Sequence, residues 1–285
     1  MVLHSLTTNT TMDSIIQGIQ DLYFSWKKET PIRIEKLPQS GSDRIYFRIF
    51  TTNETFIATY NLNVQENNTF VIFSKHFYQQ QLPVPEVYCV NDEQTIYIQK
   101  DLGSESLLNK LEQNGHNDYV YGLFKKSLKA LAAIQIKGDT NLNYDVCLTA
   151  KEFGKQAILS DLLYFKYYFL DTLKLPYDKQ AMLQDFEALS TYLTFTEHKY
   201  FMFRDFQSRN IIVNNDEVFF IDYQGGMKGA LQYDVASLLW QAKAELSSEW
   251  KDSLLEYYMD EVEQLLQSKK YANPLSPILP NNDKL

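Results

Sequence analysis

The chain has 285 residues, enough for one large domain or two lobes around a cleft, and 45% hydrophobic against 22% charged residues is ordinary globular composition. A formal charge of −9 with a pI of about 5.0 repels phosphate backbones and anionic lipid, which argues against nucleic acid and membranes as partners. Cys89 and Cys147 lie far apart without a C-x-x-C pair or a His cluster, so a structural zinc site is excluded and a disulfide framework is not expected.

Residues 1–13 are polar and Thr-rich, without the charged and apolar regions of a leader, and are expected to fray. No apolar run reaches the ~18 residues of a membrane span, so a soluble, cytoplasmic protein is expected, and a monomer. Residues 14–27 place Ile15, Ile16, Ile19, Leu22 and Tyr23 on one face of a helix. Short β-rich runs follow at 32–34, 45–50 and 55–60, joined by turn residues, which predicts an antiparallel sheet. A helix is predicted over 68–81, ending before Pro83 and Pro85, then a strand pair at 87–90 and 95–99. The turn-prone Lys100-Asp-Leu-Gly103 marks the expected lobe boundary, with one lobe at 1–102 and the other at 103–285. Beyond it the period becomes helical at Val120 to Ile134, at Leu183 to Leu189, at Val235 to Leu246 and over 250–266, and residues 153–170 are aromatic almost throughout. One hairpin interrupts these helices, with strands at 211–213 and 218–221. The 20 Tyr and 18 Phe suggest a core filled largely by rings.

Polar residues bracket that hairpin. Phe203-Arg-Asp-Phe-Gln-Ser-Arg-Asn210 precedes it, and Asp222, in Ile-Asp-Tyr-Gln-Gly-Gly, follows. A D-x-x-x-x-N loop, a short hairpin and a further Asp form the arrangement that phosphoryl transfer needs in kinase-like enzymes. Asp205 would take the proton of an acceptor hydroxyl. Asn210 and Asp222 would supply a neutral and an anionic oxygen to magnesium. A hairpin sets the residue before its first strand beside the residue after its second, so Asn210 and Asp222 should meet although twelve positions apart.

These two segments resemble the catalytic and metal loops of the aminoglycoside-phosphotransferase family, whose usual catalytic loop reads H-G-D-x-x-x-x-N, and those of choline kinases. The resemblance is nearest to the bacterial anomeric kinases that phosphorylate N-acetylmuramate and N-acetylglucosamine, with Arg204-Asp205 and Asp222-Tyr223-Gln224 as the matching residues. It covers roughly residues 37–261. It implies an α+β, bilobal protein-kinase-like fold, with an antiparallel-sheet nucleotide lobe and a mainly helical lobe holding the catalytic hairpin. It also implies ATP and Mg2+ as cofactors and a small-molecule acceptor, with an amino sugar favoured. Asp234 would brace the catalytic loop by accepting backbone N–H bonds. Ser40, Gly41 and Ser42 would cover the phosphates, Arg44 or Arg48 would add charge, and Gln99, Lys100, Asp101 and Leu102 would form the linker along adenine. Gln207, Arg209 and Gln224 would lie near the acceptor.

The sequence departs from the kinase pattern in places. The 55–60 strand carries no phosphate-binding Lys, so an Arg from the preceding loop is expected to replace it, and Glu66 reads as a solvated acid at a helix start. Gln207 stands where relatives have His or Lys, and no activation segment is present. Asp161 and Tyr164 read as core or surface residues more readily than as substrate contacts. Glu256, Asp260, Glu261 and Glu263 read as a solvated helix face. Other acceptors (an aminoglycoside, a choline-like alcohol, an amino acid) and a nucleotide-binding pseudokinase are the competing readings.

Overall fold

Alternating side chains build the amino-terminal sheet. In β2 (Ile45–Phe50), Phe47 and Ile49 are fully buried on one face while Tyr46 and Arg48 point to the other. The computed structural model describes residues 2–38 and 43–272. β1 (Arg33–Lys36), β2, β3 (Thr55–Tyr60), β5 (Ile96–Lys100) and β4 (Val87–Val90) lie side by side in that order, every neighbouring pair antiparallel. The helix α1 (Val2–Lys27) seats Ile15, Ile19, Leu22 and Tyr23 on the face formed by Phe47, Ile49, Phe56, Ala58, Ile96 and Ile98. Each fully buried side chain of that size contributes about 1.5–3 kcal/mol. The opposite face carries Tyr46, Arg48, Ile57, Tyr97 and Gln99 and looks toward the rest of the chain.

The helix α2 (Val64–Gln79) starts where the Asn63 side chain accepts the N–H of Glu66, and it stops short of Pro83. Its Phe70, Phe73 and Phe77 enter a second, larger core with α4 (Asp118–Ile136), α7 (Leu231–Leu239) and α8 (Ser248–Ala272). This core crosses the expected lobe boundary. Tyr97 stacks on Phe70 and Phe70 on Tyr223, each at 5.1 Å, so three rings run from the sheet to the residue after Asp222.

The remaining elements are α3 (Leu107–Asn114), α5 (Lys155–Phe165), α6 (Lys179–Leu193) and four short strands, β6 (Tyr200–Met202), β7 (Ile211–Asn214), β8 (Glu217–Phe220) and β9 (Met227–Gly229). β7 and β8 form the predicted hairpin, closed by Asn215 and Asp216 with φ of 50° and 61°. Two left-handed residues make the turn whose twist matches that of its strands, and Asn and Asp tolerate it. Antiparallel sheet, connector, then helices with one hairpin is the α+β order expected.

Three boundaries depart furthest from expectation. The first helix begins at Val2, so residues 2–13 belong to it. The helix carrying Val235 stops at Leu239, because Gln241 turns out to meet the catalytic loop. The last helix runs to Ala272. Cys89 and Cys147 are free thiols, and burial pushes both up to about 11, which keeps them neutral as expected.

Candidate active site

β6 delivers the chain into residues 203–210, and the loop is fixed from three sides. From below, Asp234 on α7 accepts the N–H of Phe203 through Oδ2 at 2.8 Å and that of Arg204 through Oδ1 at 3.0 Å. Gln135 on α4 donates to the same Oδ2 at 2.9 Å. Asp234 is fully buried, and that burial pushes its carboxyl up to about 6 against the pull of these donors. From within, Phe203 and Phe206 are buried in the larger core. From the far side, Gln241 accepts the hydroxyl of Ser208 at 2.8 Å.

Arg204 has a φ of 81°, a left-handed conformation that costs a long side chain free energy. Its guanidinium meets both oxygens of Asp161 on α5, at 2.9 and 3.1 Å. Asp205 follows at once. Its Oδ2 accepts Asn210 Nδ2 and Arg209 Nη2, both at 3.1 Å, and its carbonyl accepts Asn210 Nδ2 at 2.8 Å and the N–H of Gln207 at 2.9 Å.

The hairpin then returns the chain as the sequence predicts. The N–H of Ile221 donates to the carbonyl of Asn210 at 3.1 Å, and Asn210 and Asp222 line one wall of the same cleft. Asp222 too is left-handed, with φ 71°. Its Oδ1 accepts Arg44 Nη2 at 2.5 Å and Gln224 Nε2 at 2.8 Å. Arg44 Nε lies 3.4 Å from Glu66 Oε1, which also takes Gln224 Nε2 at 3.4 Å. Glu66 is therefore not the solvated acid expected of it, because Arg44 and Asn61 Nδ2, at 2.9 Å, hold it inside the cluster. The strand without a Lys has an Arg beside it. Arg44 stands one residue before β2, whose Ile45 pairs with Tyr60 of β3.

The cleft between sheet and helices measures about 490 Å³. Leu37, Ile57, Leu102, Ile212 and Ile221 form apolar walls, and Arg44, Gln99, Lys100, Asn210 and Asp222 add polar groups. Gln99 is buried, and its Oε1 has no hydrogen-bond partner among the described residues, leaving an acceptor in a site lined for a flat apolar ligand. Arg48 lines the cleft but gives its charge to Asp101, at 2.6 and 3.2 Å, and Asp101 also accepts Thr55 Oγ1 and the N–H of Gly103. The Asp101 side chain thus ties the connector to β2 and β3.

Asp205, Asn210 and Asp222 come together. Gln207 and Arg209 stay beside Asp205, whereas Gln224 is buried against Asp222 and Glu66, on the Arg44 side. Ser40, Gly41 and Ser42 lie outside the described residues. Asp161, Gln135 and Gln241 were not among the predicted site residues. They sit far from the loop in sequence, and only the packing of α4, α5 and α7 brings them to it.

The profile described as the phosphotransferase enzyme family (APH) matches residues 33–266. Among solved structures, the chain is similar to choline kinase LicA from Streptococcus pneumoniae, with a TM-score of 0.60 and 15% identity over 94% of this chain and 93% of that one. It is also similar to a putative aminoglycoside phosphotransferase from Ralstonia eutropha, with a TM-score of 0.60 and 13% identity over 82% and 75% of the two chains. Aminoglycoside phosphotransferase APH(2'')-Ib, ADP-bound, gives 0.58 and 18% over 86% and 85%. At such identities the likeness carries the fold, a kinase-like sheet and helical part. A search of curated protein sequences finds no match.

Proposed function

As this chain belongs to the phosphotransferase enzyme family, which makes it a phosphotransferase acting on small-molecule hydroxyl groups, we propose that it is an ATP-dependent kinase with Asp205 as its base. One observation carries the reading: a single hairpin brings Asn210 and Asp222 together on the cleft wall, and Asn210 bonds Asp205 directly.

The nucleotide is assigned to the 490 Å³ cleft, with adenine between the apolar walls and the unpaired Gln99 oxygen facing its amino group. That APH(2'')-Ib binds ADP supports this. Lys100 and Leu102 would run along the base, and we place the lobe boundary after Leu102. Arg44 would hold the phosphates in place of the strand Lys, steadied by Glu66. Among the described residues no cluster of three His, Cys, Asp or Glu side chains is placed to hold a metal. One carboxylate and one amide oxygen fit magnesium, which takes few protein ligands and fills its shell with phosphate oxygens and water. Bound there, it would neutralise charge on the phosphates. Asp205, its direction set by Asn210 and Arg209, would accept the proton of the attacking hydroxyl. A need for ATP assigns the enzyme to the cytoplasm; among the described residues no helix is long and apolar enough to cross a membrane.

For the acceptor we favour a neutral or anionic hydroxyl compound such as an N-acetylated amino sugar. Arg209 bonds Asp205 and Arg204 precedes it, and four carboxylates of residues 152–187 are paired with cations: Asp161 with Arg204, Asp171 with Lys166, Glu187 with Lys155 and Glu152 with Lys199. A polycationic aminoglycoside would want such acids uncommitted. A choline-like acceptor is the second reading, favoured by the stacked and exposed rings of Tyr164 and Tyr168, which suit a quaternary ammonium.

The test is ADP release from Mg-ATP with N-acetylmuramate, N-acetylglucosamine, an aminoglycoside and choline as acceptors. We expect turnover with an N-acetylated sugar and a loss of about 100-fold or more in Asp205→Ala. Undiminished turnover in Asp205→Ala would sink the base assignment, and ATP binding without turnover on any acceptor would leave a pseudokinase.

A further inference from the structure

We propose that Asp161 is a positioning residue for Asp205: its carboxylate clamps the side chain of Arg204 and so makes α5 part of the device that aims the catalytic carboxylate. The inference rests on the reading of Asp205 as the base.

Arg204 is the residue whose backbone must be held for Asp205 to point where it does. At φ 81° it sits in a region that residues with long side chains occupy only when their surroundings over-determine them. The surroundings here do so from both ends. Asp234 takes its N–H at 3.0 Å, and Asp161 takes both terminal nitrogens of its guanidinium, Nη1 to Oδ2 at 2.9 Å and Nη2 to Oδ1 at 3.1 Å. A fork-to-fork pair fixes direction as well as distance. The guanidinium also lies 4.9 Å from the ring centre of Phe153 and 5.8 Å from that of Tyr233, whose hydroxyl approaches Asp161 Oδ2 at 3.5 Å. Side-chain exposures of 27% and 38% set the pair apart from the freely solvated ion pairs that contribute little.

The same pair is the polar hold of α5 on the loop, beside the Lys155–Glu187 pair that ties α5 to α6. Ile158 is the one residue of α5 that is buried, and the helix starts at Gly154 without a side-chain cap. Releasing Asp161 would therefore free α5 and Arg204 together, and the next peptide unit is that of Asp205. A misplacement of about 1 Å at such a carboxylate costs roughly 100-fold in rate.

The experiment compares Asp161→Asn, Asp161→Glu, Arg204→Gln and the double variant Asp161→Asn/Arg204→Gln with the intact protein, and Asp205→Ala with each. In Asp161→Asn we expect hydrogen exchange at the amides of Phe203, Arg204 and Phe206 to quicken about tenfold. For turnover of Mg-ATP with N-acetylmuramate, or with water alone, kcat should fall about 100-fold while ADP affinity by calorimetry holds. Asp161→Glu should restore part of kcat, and the double variant should be no slower than Arg204→Gln. Unchanged exchange at these amides, or unchanged kcat beside an inactive Asp205→Ala, would overturn the proposal and leave the base assignment standing. A loss of kcat in step with Tm and ADP affinity would make Asp161 a structural residue only, and overturn it equally. Full activity in Asp205→Ala would remove both.

Discussion

Asp234 carries an unusual load for a carboxylate with no exposed surface. Burial pushes it up to about 6, so between pH 4 and 6 the folded protein holds a proton that the unfolded chain releases. Its contribution is thus fullest below pH 4 and is lost as pH rises through 6. Wild type minus Asp234→Asn, measured as unfolding free energy by urea titration, should fall by about 3 kcal/mol across that window and level off above it. The amide also sets an NH2 against a backbone N–H, so the variant loop should loosen and kcat drop at every pH. For Arg44, replacing the guanidinium by Gln should weaken ATP binding about tenfold or more by calorimetry, and Arg44→Lys should recover part of that. That Asn210 and Asp222 meet was legible because a hairpin sets its two ends together, and the bonds of Asp234 to the loop backbone were expected from the family resemblance. The contacts of Asp161, Gln135 and Gln241 were not, since Asp161 and Gln135 come from helices, and Gln241 from the segment after α7, whose placement no local pattern specifies.

Elements were legible where periodicity was long enough to register. β2, β3 and β4 match the predicted runs residue for residue, and the hairpin differs by one position at each strand. β6 and β9, of three residues each, carry too few residues to alternate, and their pairing depends on a glycine instead. A Cβ on Gly226 would lie 2.5 Å from two atoms of the Phe201 ring and 3.0 Å from the Met202 carbonyl. Gly226→Ala must therefore push β6 away from the segment that follows Asp222. The expected cost is about 1–3 kcal/mol, read as a lower midpoint of unfolding, with a loss of activity larger than the loss of stability. The hairpin turn gives a contrasting case. Asn215 is left-handed and exposed, so Asn215→Gly should be nearly neutral while Asn215→Val costs about 1 kcal/mol or more.

On the scale of the whole molecule, the change from strands to helices near residue 102 was legible, but the packing across it was not. The α2 helix, which follows three strands of the sheet in sequence, is bound to the other part: Ser74 to the Tyr223 hydroxyl at 2.6 Å, His76 to the Gly138 carbonyl at 2.7 Å, and Thr69 to the carbonyl of Val146. Phe70→Ala should remove about 3–5 kcal/mol, and by the same ring column it should lower ATP affinity, both measurable on one preparation. In protein kinases the setting of a helix that carries a Glu controls whether a catalytic ion pair forms. Here the helix is fixed to the frame: Phe70 stacks on Tyr223, and Arg44 and Gln224 each reach from Asp222 to Glu66. An outward swing of such a helix would have to break the Phe70–Tyr223 stack and the Ser74–Tyr223 hydrogen bond together.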